Sequence, residues 1–94
     1  MPGYLIFEIE VTDEAAWTRY REVAGPIMAA GGGRFVLSSE RIESLEGGWQ
    51  PASISVVEFP SAEHARRFYQ SDDYQKVVAL RQLASRGKGI LVDA

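Results

Sequence analysis

Ninety-four residues carrying a formal charge of −3, with 46% hydrophobic and 24% charged side chains, describe one ordinary globular domain spanning 1–94. Acids and bases are interspersed, and Arg66-Arg67 is the only adjacent basic pair, so no face is basic enough for nucleic acid. Cysteine is absent, which excludes disulfides and thiol nucleophiles.

In chain order, Tyr4 to Val11 alternates, with Leu5, Phe7, Ile9 and Val11 on one side. Period two predicts a strand. Thr12-Asp13-Glu14 supplies cap and acid for a helix, along which Ala16, Tyr20, Val23, Ala24 and Ile27 recur at helical spacing beside Trp17. Gly25-Pro26 predicts a kink or restart. Gly31-Gly32-Gly33 ends the helix, and Arg34 to Arg41 reads as a second strand, with Phe35 and Leu37 on one face and Val36 on the other. A turn at Glu46-Gly47-Gly48-Trp49-Gln50-Pro51 leads to a third strand, Ala52 to Phe59. Pro60 stops it and Ser61 caps the next helix. Ser71-Asp72-Asp73 caps a separate helix from Tyr74 to Ser85. Arg86-Gly87-Lys88-Gly89 reads as a turn before a short last strand, Ile90 to Val92. No apolar run approaches the ~18 residues of a membrane span, and Met1-Pro2-Gly3 opens no signal sequence, so the expected setting is cytoplasmic, without a membrane partner.

Thr12, Glu14, Ala16 and Tyr20 match Ser61, Glu63, Ala65 and Tyr69 at one constant offset. Two strand–helix–strand halves predict an α+β, ferredoxin-like βαββαβ domain with a four-stranded antiparallel sheet. The same offset aligns Glu58 with Ile9 and so places Glu58 on the face that the helices cover. Tyr4, Ile6, Val57, Phe59 and one of Phe35 or Val36 are then left on the helix-free face, an apolar patch suited to a homodimer joined through its sheets.

The stretches Gly32-Gly33-Arg34-Phe35, Leu45-Glu46-Gly47-Gly48-Trp49-Gln50-Pro51, Val57-Glu58-Phe59-Pro60-Ser61, Tyr69-Gln70-Ser71-Asp72-Asp73-Tyr74-Gln75 and Leu80-Arg81, in this order and spacing, resemble the bacterial domain-of-unknown-function family 1330. The resemblance implies a dimeric α+β barrel, a superfamily of cofactor-free oxygenases, small isomerases, haem-binding enzymes and ligand-sensing domains. Fold alone does not select among these. Relatives commonly carry arginine after the Trp-x-Pro turn. Here Ala52 and Ser53 stand there, and Gln50 replaces another frequent arginine.

Glu58 is the candidate catalytic acid or base, because a carboxyl half-buried among apolar side chains suits proton transfer. The bland alternative is a structural carboxylate bonded to Arg34, Arg81 or a tyrosine. Tyr69, Tyr74, Arg34 and Arg81 are the candidate substrate-binding residues: phenols donate hydrogen bonds while their rings wall a pocket, and a guanidinium holds a carboxylate bidentately. Tyr20, Trp17 and Trp49 read as packing residues. His64, the only histidine, reads as a surface residue. One histidine and no cysteine predict no metal site, and the glycine runs lack nucleotide-binding order, so no cofactor is expected. The expectation is a cofactor-free enzyme, oxygenase-, isomerase- or lyase-like, acting on a small organic molecule between sheet and helices. The alternative is a non-catalytic ligand-binding or stress-related dimer.

Overall fold

In the computed structural model, which describes residues 1–94, the elements run β1 (Gly3–Val11), α1 (Glu14–Ala30), β2 (Arg34–Ser39), β3 (Ile54–Phe59), α2 (Ala62–Gln70), α3 (Asp72–Ala84) and β4 (Ser85–Asp93). The sheet order is β2-β3-β1-β4, with every pair antiparallel. This is the ferredoxin-like α+β arrangement the alternation of patterns predicts.

Each helix begins where a short polar side chain satisfies a free backbone N–H. Asp13 accepts from the Ala16 amide, Ser61 from His64 and Ser71 from Tyr74. Pro26 sits inside α1, which runs unbroken to Ala30, so the expected restart does not occur.

The helices lie on one side of the sheet. The core joins Leu5, Phe7 and Ile9 of β1 and Val57 and Phe59 of β3 to Tyr20, Ala24 and Met28 of α1, Ala65 and Phe68 of α2, and Tyr74, Val77 and Val78 of α3. The result is a slab of 33 × 33 × 16 Å with one sheet face uncovered.

Further sequence expectations are corrected in the sheet. Val57 and Phe59, expected on the open face, are 0% and 1% exposed beneath the helices. Glu58, expected under the helices, lies on the open face, because it pairs with Tyr4 on one neighbour and Arg34 on the other. The internal match was out by one position. The capping residues Asp13 and Ser61 are the structural equivalents, which pairs Val57 with Ile9, and a one-residue slip exchanges the two faces of a strand.

Another correction is β4, which begins directly after α3 and runs to Asp93 rather than starting at Ile90. Gly87 and Gly89 are not turn residues. They sit opposite Ile9 and Phe7 on the core side, where a Cβ at Gly89 would come within 2.8 Å of the Phe7 ring and one at Gly87 within 2.1 Å of the Glu8 carbonyl oxygen. Glycine keeps the strand close where a side chain would hit its neighbour.

A register shift between Phe35 and Leu37 marks a bulge in β2. Phe35 pairs with Val57 and so faces the helices. Leu37 pairs with Val56 and faces away, not beside Phe35 as alternation predicted. Ser38, opposite Ser55, returns to the helix side.

Candidate functional site

The bulge matters because β2 is the strand least covered by helices. Between it and α1 lies a cavity of about 200 Å³. Phe7, Phe35, Ser38, Ser55 and Val57 form its sheet wall, and Trp17, Tyr20, Arg21, Ala24 and Met28 form its helix wall. The α1 residues recur at three- and four-residue steps, so they are one stripe of the helix. Arg81 of α3 completes the lining.

Two of the lining residues, Tyr20 and Arg81, are joined by a third, Tyr74, buried behind the cavity wall. Tyr74, in the first turn of α3, is fully buried; its amide is held by Ser71 and its ring packs on Phe68, with centroids 4.9 Å apart. Arg81 lies two turns later on the same face and donates from Nη1 to the Tyr74 hydroxyl at 3.1 Å. The Tyr20 and Tyr74 hydroxyls are 3.2 Å apart. The Arg81 guanidinium has donors only, so the Tyr74 oxygen accepts from it. The Tyr74 hydroxyl also shares a hydrogen bond with that of Tyr20 in which either can donate, so when Tyr74 donates, the Tyr20 proton is available to a ligand.

Burial first, then the neighbouring Tyr74, pushes the Tyr20 phenol well above the usual tyrosine range, so it stays a protonated donor. Burial opposes the charge on Arg81, but Tyr74 foremost, with Tyr69 and Tyr20, outweighs it and holds the guanidinium above its usual value. Arg81 also lies over the Phe7 ring, 5.0 Å from its centroid. It forms no ion pair; the five in the protein involve other residues. The cavity lining contains no Asp, Glu, His, Lys or Cys.

The expected site residues therefore divide. Tyr74 and Arg81 come together in this cluster, with Tyr69 beside it, its ring 5.6 Å from that of Tyr74. Glu58 and Arg34 form an ion pair on the opposite face of the sheet, where the Tyr4 hydroxyl also donates to Glu58 at 3.4 Å. The Glu58 side chain is 24% exposed. His64 bonds through Nε2 to the Gly31 carbonyl, 2.8 Å away, and edges a separate open hollow with Arg67 and Asp73. No three His, Cys, Asp or Glu side chains converge as metal ligands do. Sequence reasoning passed over Tyr20 and Trp17 as packing and did not single out Arg21, Ser38 or Ser55. The signal for the first three was the stripe Trp17, Tyr20, Arg21, Ala24; Ser55 shares the alternation of Val57 and Phe59, and for Ser38 there was no signal, because the bulge in β2 sets its direction.

Comparison with known proteins settles the family. Residues 2–94 match the family described as Domain of unknown function (DUF1330). The chain belongs to the DUF1330 family. No curated protein matches it. Among solved structures, this DUF1330 chain is similar to the RPA0582 protein of unknown function from Rhodopseudomonas palustris, with a TM-score of 0.77 at 18% identity over 99% of this chain and 82% of that one. It is similar to SnoaB, a cofactor-independent oxygenase from Streptomyces nogalater, with a TM-score of 0.70 at 13% identity over 99% and 92%. It is also similar to a dimeric ferredoxin-like protein of unknown function from Jannaschia, with a TM-score of 0.68 at 10% identity over the full length of both. Identities this low carry the fold alone. No helix is long and apolar enough to cross a membrane.

Proposed function

We propose that the cavity between α1 and the sheet is the site of a cofactor-free enzyme that stabilises an oxyanion on a small organic molecule. The observation that carries this reading is the hydrogen-bonded chain of Arg81, Tyr74 and Tyr20, which sets a cation without a counter-ion in the wall of a largely apolar cavity. Preorganised donors in a water-poor site stabilise developing negative charge far better than water does. Without a carboxylate or imidazole in the lining, the cavity is suited to holding an enolate or phenolate rather than to abstracting its proton. Such an ion is the starting point for isomerisation, carbon–carbon cleavage and attack on dioxygen alike. The likeness to SnoaB is consistent with the last of these.

A panel of small enols, phenols and ketones screened by thermal shift tests the site. A ligand at a hundred times its Kd adds about 2.7 kcal/mol of stability. Arg81→Gln should abolish the shift and Arg34→Gln should leave it. A shift that survives Arg81→Gln contradicts the assignment. A ligand recovered unchanged after incubation would favour the second reading, a non-catalytic binding protein using the same cavity.

The proposal also includes a homodimer formed through the open sheet face. Leu37, Val56, Ile6 and Ile90 pair across all four strands as one apolar row on that face. Glu58–Arg34 stands at one end of the row, and Glu8–Lys88 and Glu10–Arg86 at the other. In this reading Glu58 and Arg34 frame the interface. Proton transfer by Glu58 would require chemistry on the open face, and a loss of turnover in Glu58→Gln with the dimer intact would place it there.

A further inference from the structure

Resting on the cavity as a ligand site, we infer that its ligand is a single-ring aromatic carboxylate bearing an oxygen at the far end of the ring. Three observations converge. The first is size: at the packing density of protein interiors, a cavity of about 200 Å³ admits roughly ten to twelve non-hydrogen atoms, one ring with two short substituents. The second is the walls, where Trp17 on α1 faces Phe7 and Phe35 on the sheet across the space, which suits a flat ring better than a chain.

The third is a second guanidinium. Arg21 follows Tyr20 on α1, lines the same cavity and is exposed, whereas Arg81, contributed by α3, is half-buried. Like Arg81, Arg21 forms no ion pair. In a chain of net charge −3, the only charged residues lining this cavity are two arginines. A planar carboxylate matches the fork of Arg21 bidentately. The oxygen on the opposite ring carbon then reaches the Tyr20 hydroxyl and the free donors of Arg81. A neutral phenol satisfies one end only, and an aliphatic acid of the same length does not fill the space between the rings.

The test uses the full-length protein with 4-hydroxybenzoate, 4-hydroxybenzamide and 4-hydroxycyclohexanecarboxylate as probes. Trp17 fluorescence is read in a Trp49→Phe background, since Trp49 lies elsewhere, bonded to Glu8 on the open face. The expected result is that the benzoate binds at least tenfold more tightly than the amide or the saturated acid. Arg21→Gln, an exposed substitution, should bring benzoate and amide to within about threefold of each other, chiefly by weakening the benzoate. If amide and acid bind equally well in the unsubstituted protein, or if Arg21→Gln preserves the preference, the carboxylate assignment is overturned and the cavity remains a ligand site. If the saturated acid binds as well as the benzoate, the aromatic assignment is overturned. If none of the three binds while other compounds give an Arg81-dependent thermal shift, the class is wrong; if nothing binds at all, both readings fall.

Discussion

Tyr20 shows how little a side chain's type says about its use. On the helix pattern it is one more apolar-facing residue, and packing is the economical reading. What changes that is Tyr74, brought from the start of α3 to 3.2 Å from its hydroxyl, and Arg81 behind it. Tyr20→Phe should cost about 1–2 kcal/mol in chemical denaturation, because the buried Tyr74 hydroxyl loses a hydrogen-bond partner. It should also lower turnover by about a hundredfold if the hydroxyl faces the oxyanion. The same residue predicts an alkaline limit. Its phenol titrates higher in the folded chain than in the unfolded one, so the folded state holds the extra proton. That contribution is complete below the ordinary tyrosine value of about 10 and is lost as pH rises through the folded value. Stability measured by urea unfolding should therefore fall above about pH 10, and Tyr20→Phe should fall less steeply; parallel slopes would contradict the burial of this phenol. Of the candidate residues, the proximity of Tyr74 and Arg81 was legible because seven residues along a helix return to the same face. Glu58 was legible as an unusual carboxylate but not as to its side of the sheet, which depended on a register that an imperfect repeat left one residue out.

At the level of elements, periodicity identified β1, β2, β3 and all three helices, since alternation and capping act locally. It failed where long-range contact decides. β4 carries two glycines that read as a turn, yet they are the places where the strand passes against Phe7 and the Glu8 backbone. The bulge in β2 is likewise invisible in sequence, because the extra residue is set by pairing with β3. Close approach gives a graded prediction. A Cβ at Gly3 would meet the Ala62 backbone at 2.4 Å, and one at Gly89 would meet only the Phe7 ring at 2.8 Å. A backbone at the start of α2 has no rotamer to change, whereas a ring can tilt. Gly3→Ala should cost about 2–3 kcal/mol and Gly89→Ala distinctly less, about 1 kcal/mol. Equal costs in denaturant unfolding would show that α2 shifts as easily as the ring.

As a whole, the molecule is two layers thick with one layer's outer face bare. Pairing of two such faces is the assembly proposed above, and Val56→Glu at the centre of the apolar row should yield a folded monomer by sedimentation at micromolar concentration. A monomer before substitution would refute the assembly. The two sheet faces also offer two rival places for chemistry: the cavity with Tyr20 and Arg81, and the open face with Glu58 and Arg34. A crystal structure of the protein with a bound hit from the ligand screen separates them most directly. The account predicts ligand density between α1 and β2, with an oxygen within hydrogen-bonding distance of the Tyr20 hydroxyl and the Arg81 guanidinium. Density beside Glu58 on the open face, with the cavity filled only by solvent, would contradict it.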